Sequence, residues 1–262
     1  MLIIFFILGL IVGSFLNVVV YRLRLAETIL GRSYCPHCKS KIRWYDNIPL
    51  LSFILLKAQC RDCRGKISWQ YPAVEFLTGI VFALVGKYFF DLNNFQLWPE
   101  ALFYLVVFSI FLVIFFYDLK FMEIPMIVLW VGVVWAAIFA VIVELGYLEP
   151  VSRFLSLGFA DKAIGGAIAF LFFYALAHFS KETWMGYGDA YVGLLIGLVV
   201  GWEKLFMALT LSFAIGSVFS IGLVFFKKKT MKSQVPLAPF LVVGTILAIF
   251  IYEIFPSIYY LI

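Results

Sequence analysis

Long apolar runs recur along this chain and constrain its fold more than any other feature of the sequence. About 20 consecutive apolar residues are enough for a helix to cross the hydrocarbon core of a bilayer. Charged residues or Gly/Pro breaks separate eight such runs, which we predict to be membrane spans: 1–20, 73–90, 101–117, 125–143, 163–179, 190–201, 205–226 and 237–256. The sixth run is short and predicts a helix that crosses only part of the membrane or begins within it.

The composition agrees with these spans. Hydrophobic residues make up 65% of the 262 residues and charged residues only 13%, whereas a soluble domain is about half apolar and a quarter charged. This balance excludes a soluble enzyme with one large core, and it excludes a disordered chain, which needs the opposite balance. We predict an all-α polytopic membrane protein of about eight transmembrane helices, divided into a first helix (1–20), a small cytosolic loop (21–72) and a multi-helix membrane domain (73–262).

Basic residues are distributed unevenly along the chain, and in membrane proteins they mark the cytoplasmic side. Ten of the 20 lysines and arginines lie in the 21–72 loop. If this loop is cytoplasmic, six more join it there, and only four lie outside: Lys87, Arg153, Lys162 and Lys204. The pattern predicts both termini outside, and the net charge of +5 indicates orientation rather than a nucleic-acid partner.

All four cysteines lie in the 21–72 loop, as two C-x2-C pairs separated by 21 residues: Cys35, Cys38, Cys60 and Cys63. This spacing is typical of a zinc ribbon, in which each pair occupies a tight turn and four thiolates complete a tetrahedral site. Two disulfides are the alternative, although cytosolic thiols stay reduced. Because four sulfurs leave no open coordination position, we expect a structural zinc that helps the small loop to fold. His37 is expected to be a surface residue rather than a ligand.

Two aspartates are the strongest candidates for catalysis, because charged residues within membrane spans are costly and tend to be functional. Asp118 ends the third span, and Asp189 follows the fifth in the sequence Gly186-Tyr187-Gly188-Asp189. Both fall on the predicted cytoplasmic side at similar depth. We expect the two carboxyls to meet and share one proton, so that one activates water as a base and the other polarises a carbonyl as an acid.

The glycines of this motif, Gly186 and Gly188, permit unusual backbone conformations and close approach of a substrate. The alternative is that both aspartates are ordinary interfacial acids, paired with Lys120 or Lys181.

Two further residues are weaker candidates. Glu75 begins the second span on the same side, where it could assist a substrate amine or support a loop. His178 lies near the inner end of the fifth span, where it could tune the site, although a role in helix packing fits it better.

Motifs in order along nearly the whole chain resemble those of the type IV prepilin peptidases, the bacterial leader peptidases of pilus and type II secretion systems. They are Gly13–Val19 (GSFLNVV), Tyr21-Arg22, the two cysteine pairs, Trp44–Ser52 (WYDNIPLLS), Ile67-Ser68, Tyr71-Pro72 to Glu75, Asp118 with Ile124-Pro125, Met185–Ala190 (MGYGDA) and Pro236–Leu241 (PLAPFL).

This resemblance implies an enzyme of the bacterial inner membrane with eight transmembrane helices, a cytosolic zinc-binding loop and an active site that faces the cytoplasm. It implies cleavage of the short basic leader of type IV prepilins or pseudopilins, after a glycine and before a residue that is often phenylalanine. It also implies methylation of the new N-terminal amine with S-adenosylmethionine. The family's catalytic aspartates map onto Asp118 and Asp189, and its metal-binding cysteines map onto Cys35, Cys38, Cys60 and Cys63.

Two other functions stay open from the sequence alone. Tyr117-Asp118, the Gly186-x-Gly188-Asp189 sequence and a proline-rich motif also resemble presenilin-type intramembrane proteases, which cut within transmembrane helices. The cysteine loop argues against that assignment. A non-enzymatic carrier of protons or cations is the other alternative, because membrane acids serve such transport, and the zinc loop would then dock a partner.

Overall fold

The computed structural model describes residues 1–94, 97–148, 158–225 and 235–255, and within these ranges the chain is almost entirely helical. The helices are α1 (Leu2–Arg24), α2 (Leu51–Leu55), α3 (Gln70–Tyr88), α4 (Leu97–Phe121), α5 (Met126–Glu144), α6 (Phe159–Phe179), α7 (Tyr187–Val200), α8 (Trp202–Phe225) and α9 (Ala238–Ile254). A 3-10 turn at Trp44–Asn47 precedes α2, and the described residues form isolated β-bridges but no strand. The predicted all-α fold is confirmed.

Each of the predicted spans overlaps one of the longer helices. Within the described ranges, five helices are long and apolar enough to cross a membrane, namely α1, α4, α5, α6 and α8, and α7 and α9 are shorter apolar helices. The chain is therefore a multi-pass membrane protein. The 14 residues of α7 extend about 21 Å, which is less than the ~30 Å of the hydrocarbon core, so the sixth span is short as predicted. The orientation in the membrane stays a prediction.

The structure divides into two compact units, and α1 and α3 form the framework of the first, Met1–Phe90. Small residues let these two helices approach closely. A β-carbon on Gly13 would stand 2.7 Å from Glu75 Cα, and one on Gly9 would stand 2.7 Å from the carbonyl oxygen of Thr78. Contacts of this kind hold membrane helices together where lipid supplies no hydrophobic drive. The segment between α1 and α3 contains the cysteine loop, so both of its ends are fixed.

The second unit covers Asp91–Ile262 and contains α4 to α9. Here α6 and α7 approach so closely that a β-carbon on Gly197 would stand 2.3 Å from the Gly165 carbonyl carbon. The span in α4 is the most buried of the five, with 67% of it inside the protein, and α4 packs against α5 and α9. The unit therefore assembles around α4. The division of the chain into 1–20, 21–72 and 73–262 stays a prediction.

Candidate active site and metal centre

Asp118 lies in the last turn of α4, where its side chain is buried and only 5% exposed. The backbone N–H of Ala238, the first residue of α9, donates a hydrogen bond to its carboxyl. The second carboxyl oxygen, Oδ2, is buried and has no hydrogen-bond partner among the described residues. A buried oxygen without a partner is costly, so Asp118 carries an unused hydrogen-bonding position inside the protein.

Asp189 occupies the third position of α7, a helix that begins immediately after Gly186. Its carboxyl accepts a hydrogen bond from the Gly186 N–H, and its own N–H donates to the Gly186 carbonyl oxygen at 3.2 Å. A side chain that reaches back from this position to the helix cap is half of a capping box, and the helix dipole favours a carboxylate there. These contacts fix the carboxyl of Asp189, which is partly buried, at the start of α7.

The structure brings the two aspartates together, although they are 71 positions apart in the sequence. The Asp118 carboxyl acts electrostatically on that of Asp189. Contact between their neighbours explains the approach: a β-carbon on Gly188 would stand 2.8 Å from Ile124 Cγ1, and Ile124 lies in the short connection from α4 to α5. A glycine at position 188 therefore lets the start of α7 pack against the segment that follows Asp118.

The proposed lysine partners of these aspartates lie elsewhere. Among the described residues, no ion pair joins either aspartate to Lys120 or Lys181. The Lys120 ammonium instead lies 5.3 Å from the centre of the Phe121 ring. The contacts in the structure thus favour a pair of carboxyls over two separate interfacial ion pairs.

A cluster of rings borders the start of α7, and the sequence pointed to only part of it. The Tyr187 hydroxyl and His178 Nδ1 are hydrogen-bonded at 3.3 Å. Tyr174 stacks on His178 with ring centres 6.1 Å apart and approaches the Tyr187 ring at 5.3 Å. His178 therefore connects α6 to the Gly186–Asp189 motif, as a packing role predicts. Tyr187 lies inside the Gly186–Asp189 motif, and this position is the sequence feature that pointed to it.

The four cysteines form two matching turns in the first unit. In each, the N–H of the first cysteine donates to a carbonyl five residues later, and the residue after the second cysteine, Lys39 or Arg64, has a positive φ of 60° or 55°. Isolated β-bridges close the two turns, Tyr34 to Lys41 and Gln59 to Lys66. Repetition of the same local geometry at both pairs is what a two-knuckle metal site requires.

The sulfur atoms have the spacing of a metal site. All four Sγ atoms lie within 4.8 Å of one another, and those of Cys35 and Cys63 are 3.9 Å apart. In a zinc tetrahedron with bonds of about 2.3 Å, neighbouring sulfurs are about 3.8 Å apart. The thiols are free, so the alternative of two disulfides is not observed. The four cysteines can therefore bind a metal.

Two neighbouring residues, Ser40 and His37, border the four cysteines. The Cys38 Sγ and Ser40 Oγ atoms lie 3.0 Å apart, within hydrogen-bonding distance. His37 lies against Gly65, where a β-carbon would stand 3.0 Å from its ring, and it does not belong to the ligand cluster.

Glu75 has contacts that fit support of a loop. Its Oε2 accepts a hydrogen bond from the Leu50 N–H at 2.8 Å, and Ser14 of α1 hydrogen-bonds to the same carboxyl. Leu50 has φ +58° and ψ −48°, and the Leu51 N–H donates to the Pro49 carbonyl oxygen at 2.6 Å. This is a γ-turn with positive φ, a rare and strained conformation, which the Glu75 carboxyl stabilises.

Sequence reasoning gave no role to Arg22, which organises the segment after α1. This side chain is 5% exposed, and its guanidinium donates hydrogen bonds of 2.8 to 3.1 Å to the carbonyl oxygens of Thr28, Ile29, Leu30 and Arg32. Arginine suits this position because its fixed fork offers several donors. The only signal in the sequence was the Tyr21-Arg22 motif.

A second group of buried charges, in the other unit, was also missed. Glu100, Lys162 and Lys204 are 2%, 1% and 3% exposed. Lys162 interacts electrostatically with Asp161 and Glu100, and the Lys204 ammonium lies 4.7 Å from the centre of a tyrosine ring in α9. Glu100 is in the first turn of α4 and Asp118 in the last, about 27 Å away along the helix. These charges therefore form a separate cluster.

The fold is that of a polytopic membrane protein in which the segments that carry Asp118 and Asp189 pack together and four cysteines can bind a metal. Residues 7–89 match the model of the bacterial peptidase A24 N-terminal domain, and residues 105–221 match that of the type IV leader peptidase family. The chain belongs to the type IV leader peptidase family, and it is a peptidase by that membership.

Characterised relatives extend the comparison over most of the chain. A prepilin leader peptidase/N-methyltransferase of Bacillus subtilis (strain 168) is 31% identical over 95% of this chain and 93% of its own length. The type 4 prepilin-like proteins leader peptide-processing enzyme of Escherichia coli O78:H11 is 30% identical over 94% and 93%. A Myxococcus xanthus prepilin leader peptidase/N-methyltransferase is 35% identical over 82% of this chain, which spans only 61% of that protein. No solved structure matches.

Proposed function

We propose that this chain is an aspartic endopeptidase that removes the leader peptide of type IV prepilins and pseudopilins at the cytoplasmic face of the bacterial inner membrane. The observation that carries the proposal is the packing of Gly188 against Ile124, which brings the start of α7, with Asp189, beside the segment that follows Asp118. Similarity to prepilin leader peptidases over nearly the whole chain supports the substrate class. The ten basic residues of the 21–72 loop support the cytoplasmic orientation.

The two carboxyls act as one catalytic pair. Two close carboxylates do not both ionise, so the pair holds a single proton and its titration belongs to both groups. The ionised carboxyl takes a proton from water as that water attacks the scissile carbonyl carbon, and the neutral carboxyl donates to the carbonyl oxygen. The C–N bond then breaks, and the departing amine receives a proton from the pair. The unpartnered Oδ2 of Asp118 is available for these transfers.

Substrate confinement supplies much of the remaining catalysis. A prepilin carries a charged leader followed by an apolar helix, and with that helix in the bilayer its scissile bond lies at the membrane interface. The enzyme is held in the same membrane by its own spans. Confinement and orientation of both partners lower the entropic cost of bringing the bond to the catalytic pair.

A second activity follows from the relatives, whose names include N-methyltransferase. When bound, S-adenosylmethionine would supply the methyl group of the new N-terminal amine, the amine would lose a proton, and S-adenosylhomocysteine would leave. Cys35, Cys38, Cys60 and Cys63 would hold a zinc ion with four thiolates, which would leave no open position for catalysis. The zinc accordingly has a structural role in the loop.

The test is to co-express the chain with a type IV prepilin in a host without its own leader peptidase. Asp118→Asn and Asp189→Asn should each reduce the rate of cleavage by about a thousandfold or more. The loss of one member of a catalytic unit costs about as much activity as the loss of the whole unit. Glu182→Gln, which changes an exposed acid in the segment before α7, is the matched control and should process normally.

Mass spectrometry of the product's N-terminus reports the position of the cut and the mass of an added methyl group. Full processing by both aspartate variants would overturn the proposal. A cut within the apolar helix would instead favour an intramembrane protease, and ion uptake into vesicles without any cleavage would favour a carrier.

A further inference from the structure

An apolar stretch interrupts the polar loop of the first unit. Residues 48–56 read Ile-Pro-Leu-Leu-Ser-Phe-Ile-Leu-Leu, with Ser52 as the only polar side chain. The Ser52 hydroxyl is buried and donates to the Tyr45 carbonyl oxygen at 2.9 Å, so no unsatisfied polar side chain remains in the stretch. The sequence pattern predicts it to be cytosolic with the rest of 21–72.

We propose that this stretch, with α2 at its centre, lies in the cytoplasmic leaflet of the bilayer and contacts lipid. Leu51, Ile54 and Leu55 of α2 are 49%, 70% and 71% exposed. Because they occupy positions i, i+3 and i+4, they share one face of the helix. An exposed apolar face next to membrane-spanning helices is the pattern of an interfacial helix. The proposal concerns placement and does not depend on the peptidase activity.

Contacts with α1 and α3 fix the depth of α2. The Leu50 N–H, directly before α2, is bonded to Glu75, which lies in the second turn of α3. Ser14, which binds the same carboxyl, lies about 15 Å along α1 from its end at Arg24. The start of α2 therefore lies about 15 Å from the cytosolic end of α1 and beside the second turn of α3.

A second contact fixes the other side of the same stretch. Phe53 of α2 packs against Trp69 with ring centres 4.9 Å apart, and Trp69 caps the first turn of α3. The Trp69 side chain is 76% exposed. Tryptophan is enriched at the headgroup level of membrane proteins, and here its exposed ring adjoins the exposed apolar face of α2.

The charge of the 21–72 loop indicates what the exposed face of α2 contacts. The 21–72 loop carries ten basic residues and three acidic ones, Glu27, Asp46 and Asp62, and Lys57 directly follows the apolar stretch and is exposed. Anionic headgroups attract such a loop, whereas a basic peptide would be repelled by it. An apolar face with a basic border therefore fits an anionic phospholipid leaflet.

Labelling by photoactivatable lipid tests this placement. The full-length protein is reconstituted into vesicles of phosphatidylethanolamine and phosphatidylglycerol that contain a phospholipid with a diazirine on its acyl chain, and adducts are located by mass spectrometry. Phe15 of α1, which is 53% exposed and adjoins Ser14, is the lipid standard. Pro36, exposed in the first cysteine turn, is the aqueous standard.

The proposal is supported if the labelling yields of Leu51, Ile54 and Leu55 are closer to the yield of Phe15 than to that of Pro36. It is overturned if their yields are closer to that of Pro36. A protein bound over α2, including another part of this chain, would give the second result. Two variants test the anchor. Glu75→Leu removes the acceptor for Leu50 and should lower α2 labelling at least about threefold relative to Phe15, whereas Glu75→Gln retains an acceptor oxygen and should not. Equal labelling in both variants would show that Glu75 does not set the depth of α2.

Discussion

Gly188 lies against Ile124 so closely that a β-carbon at position 188 would stand 2.8 Å from Ile124 Cγ1. This contact joins the start of α7, with Asp189, to the segment that follows Asp118. Gly186, in the same motif, has only the Gly188 nitrogen within 4 Å of such a position, at 3.9 Å. Gly188 is therefore needed for close packing, whereas the position of Gly186 has space for a side chain.

Gly188→Ala should displace α7 from α4 and reduce prepilin cleavage by about 10- to 100-fold, because a shift near 1 Å in catalytic groups has effects of that size. Gly186→Ala should retain most activity, since its φ of −85° suits any residue and its N–H to Asp189 is kept. Initial rates of cleavage by the two purified variants check this. An equal loss of cleavage activity in both variants would mean that the motif needs backbone flexibility rather than space for close packing.

Removal of the metal should loosen the cysteine loop without unfolding the membrane helices. Cys35→Ser or treatment with a chelator should abolish stoichiometric zinc, because metal binding and folding of so small a module are coupled. Metal analysis and limited trypsin digestion check this, since the loop contains ten basic residues. Tryptic cleavage between residues 25 and 69 should increase when the metal is removed. The control is Ser33→Ala, outside the ligand set. A loop equally resistant with and without metal would contradict the structural role.

Arg22→Lys should loosen the segment from Thr28 to Arg32, because one ammonium cannot replace a guanidinium that reaches four carbonyls at 2.8 to 3.1 Å. Each hydrogen bond lost costs about 0.5–1.5 kcal/mol. Hydrogen exchange of residues 25–34 should accelerate in this variant. Arg32→Lys makes the same change on an exposed side chain and should leave exchange unchanged; similar acceleration in both would argue against the Arg22 contacts.

Glu100→Gln should destabilise the second unit, because it removes one of two acids that interact with the buried Lys162. We expect a loss of about 1–3 kcal/mol, the cost of leaving a buried polar group with fewer partners, because Asp161 remains beside Lys162. Thermal unfolding in detergent measures the effect. The double variant Glu100→Gln, Lys162→Met should recover part of the loss because no ammonium is then buried at position 162. A double variant less stable than the single one would contradict this pairing.

The apolar stretch at 48–56 has contacts that the sequence pattern does not reveal. Nine residues are too few to register as a span, and their position inside a loop rich in lysine and arginine assigned them to the cytosol. Their place beside α3 depends on the Leu50–Glu75 hydrogen bond, which joins residues 25 positions apart. A search for long apolar runs does not detect a helix whose place is set by one buried carboxyl.

The sequence alone determined the helices and the candidate metal ligands, because both depend on local properties. The length of an apolar run determines whether a helix can cross a bilayer, and the spacing within each C-x2-C pair is set by one turn. It also identified Asp118 and Asp189 as candidates through the cost of charge in a membrane.

Only the tertiary structure decided that these two carboxyls interact, that the Ala238 N–H binds Asp118, and that Glu75 holds the turn at Leu50. Each of these contacts joins distant positions and exists only because small residues such as Gly13 and Gly188 let particular helices and turns approach closely. The periodicity of a single helix carries no information about its neighbour, and the packing of the neighbours is what places these groups together.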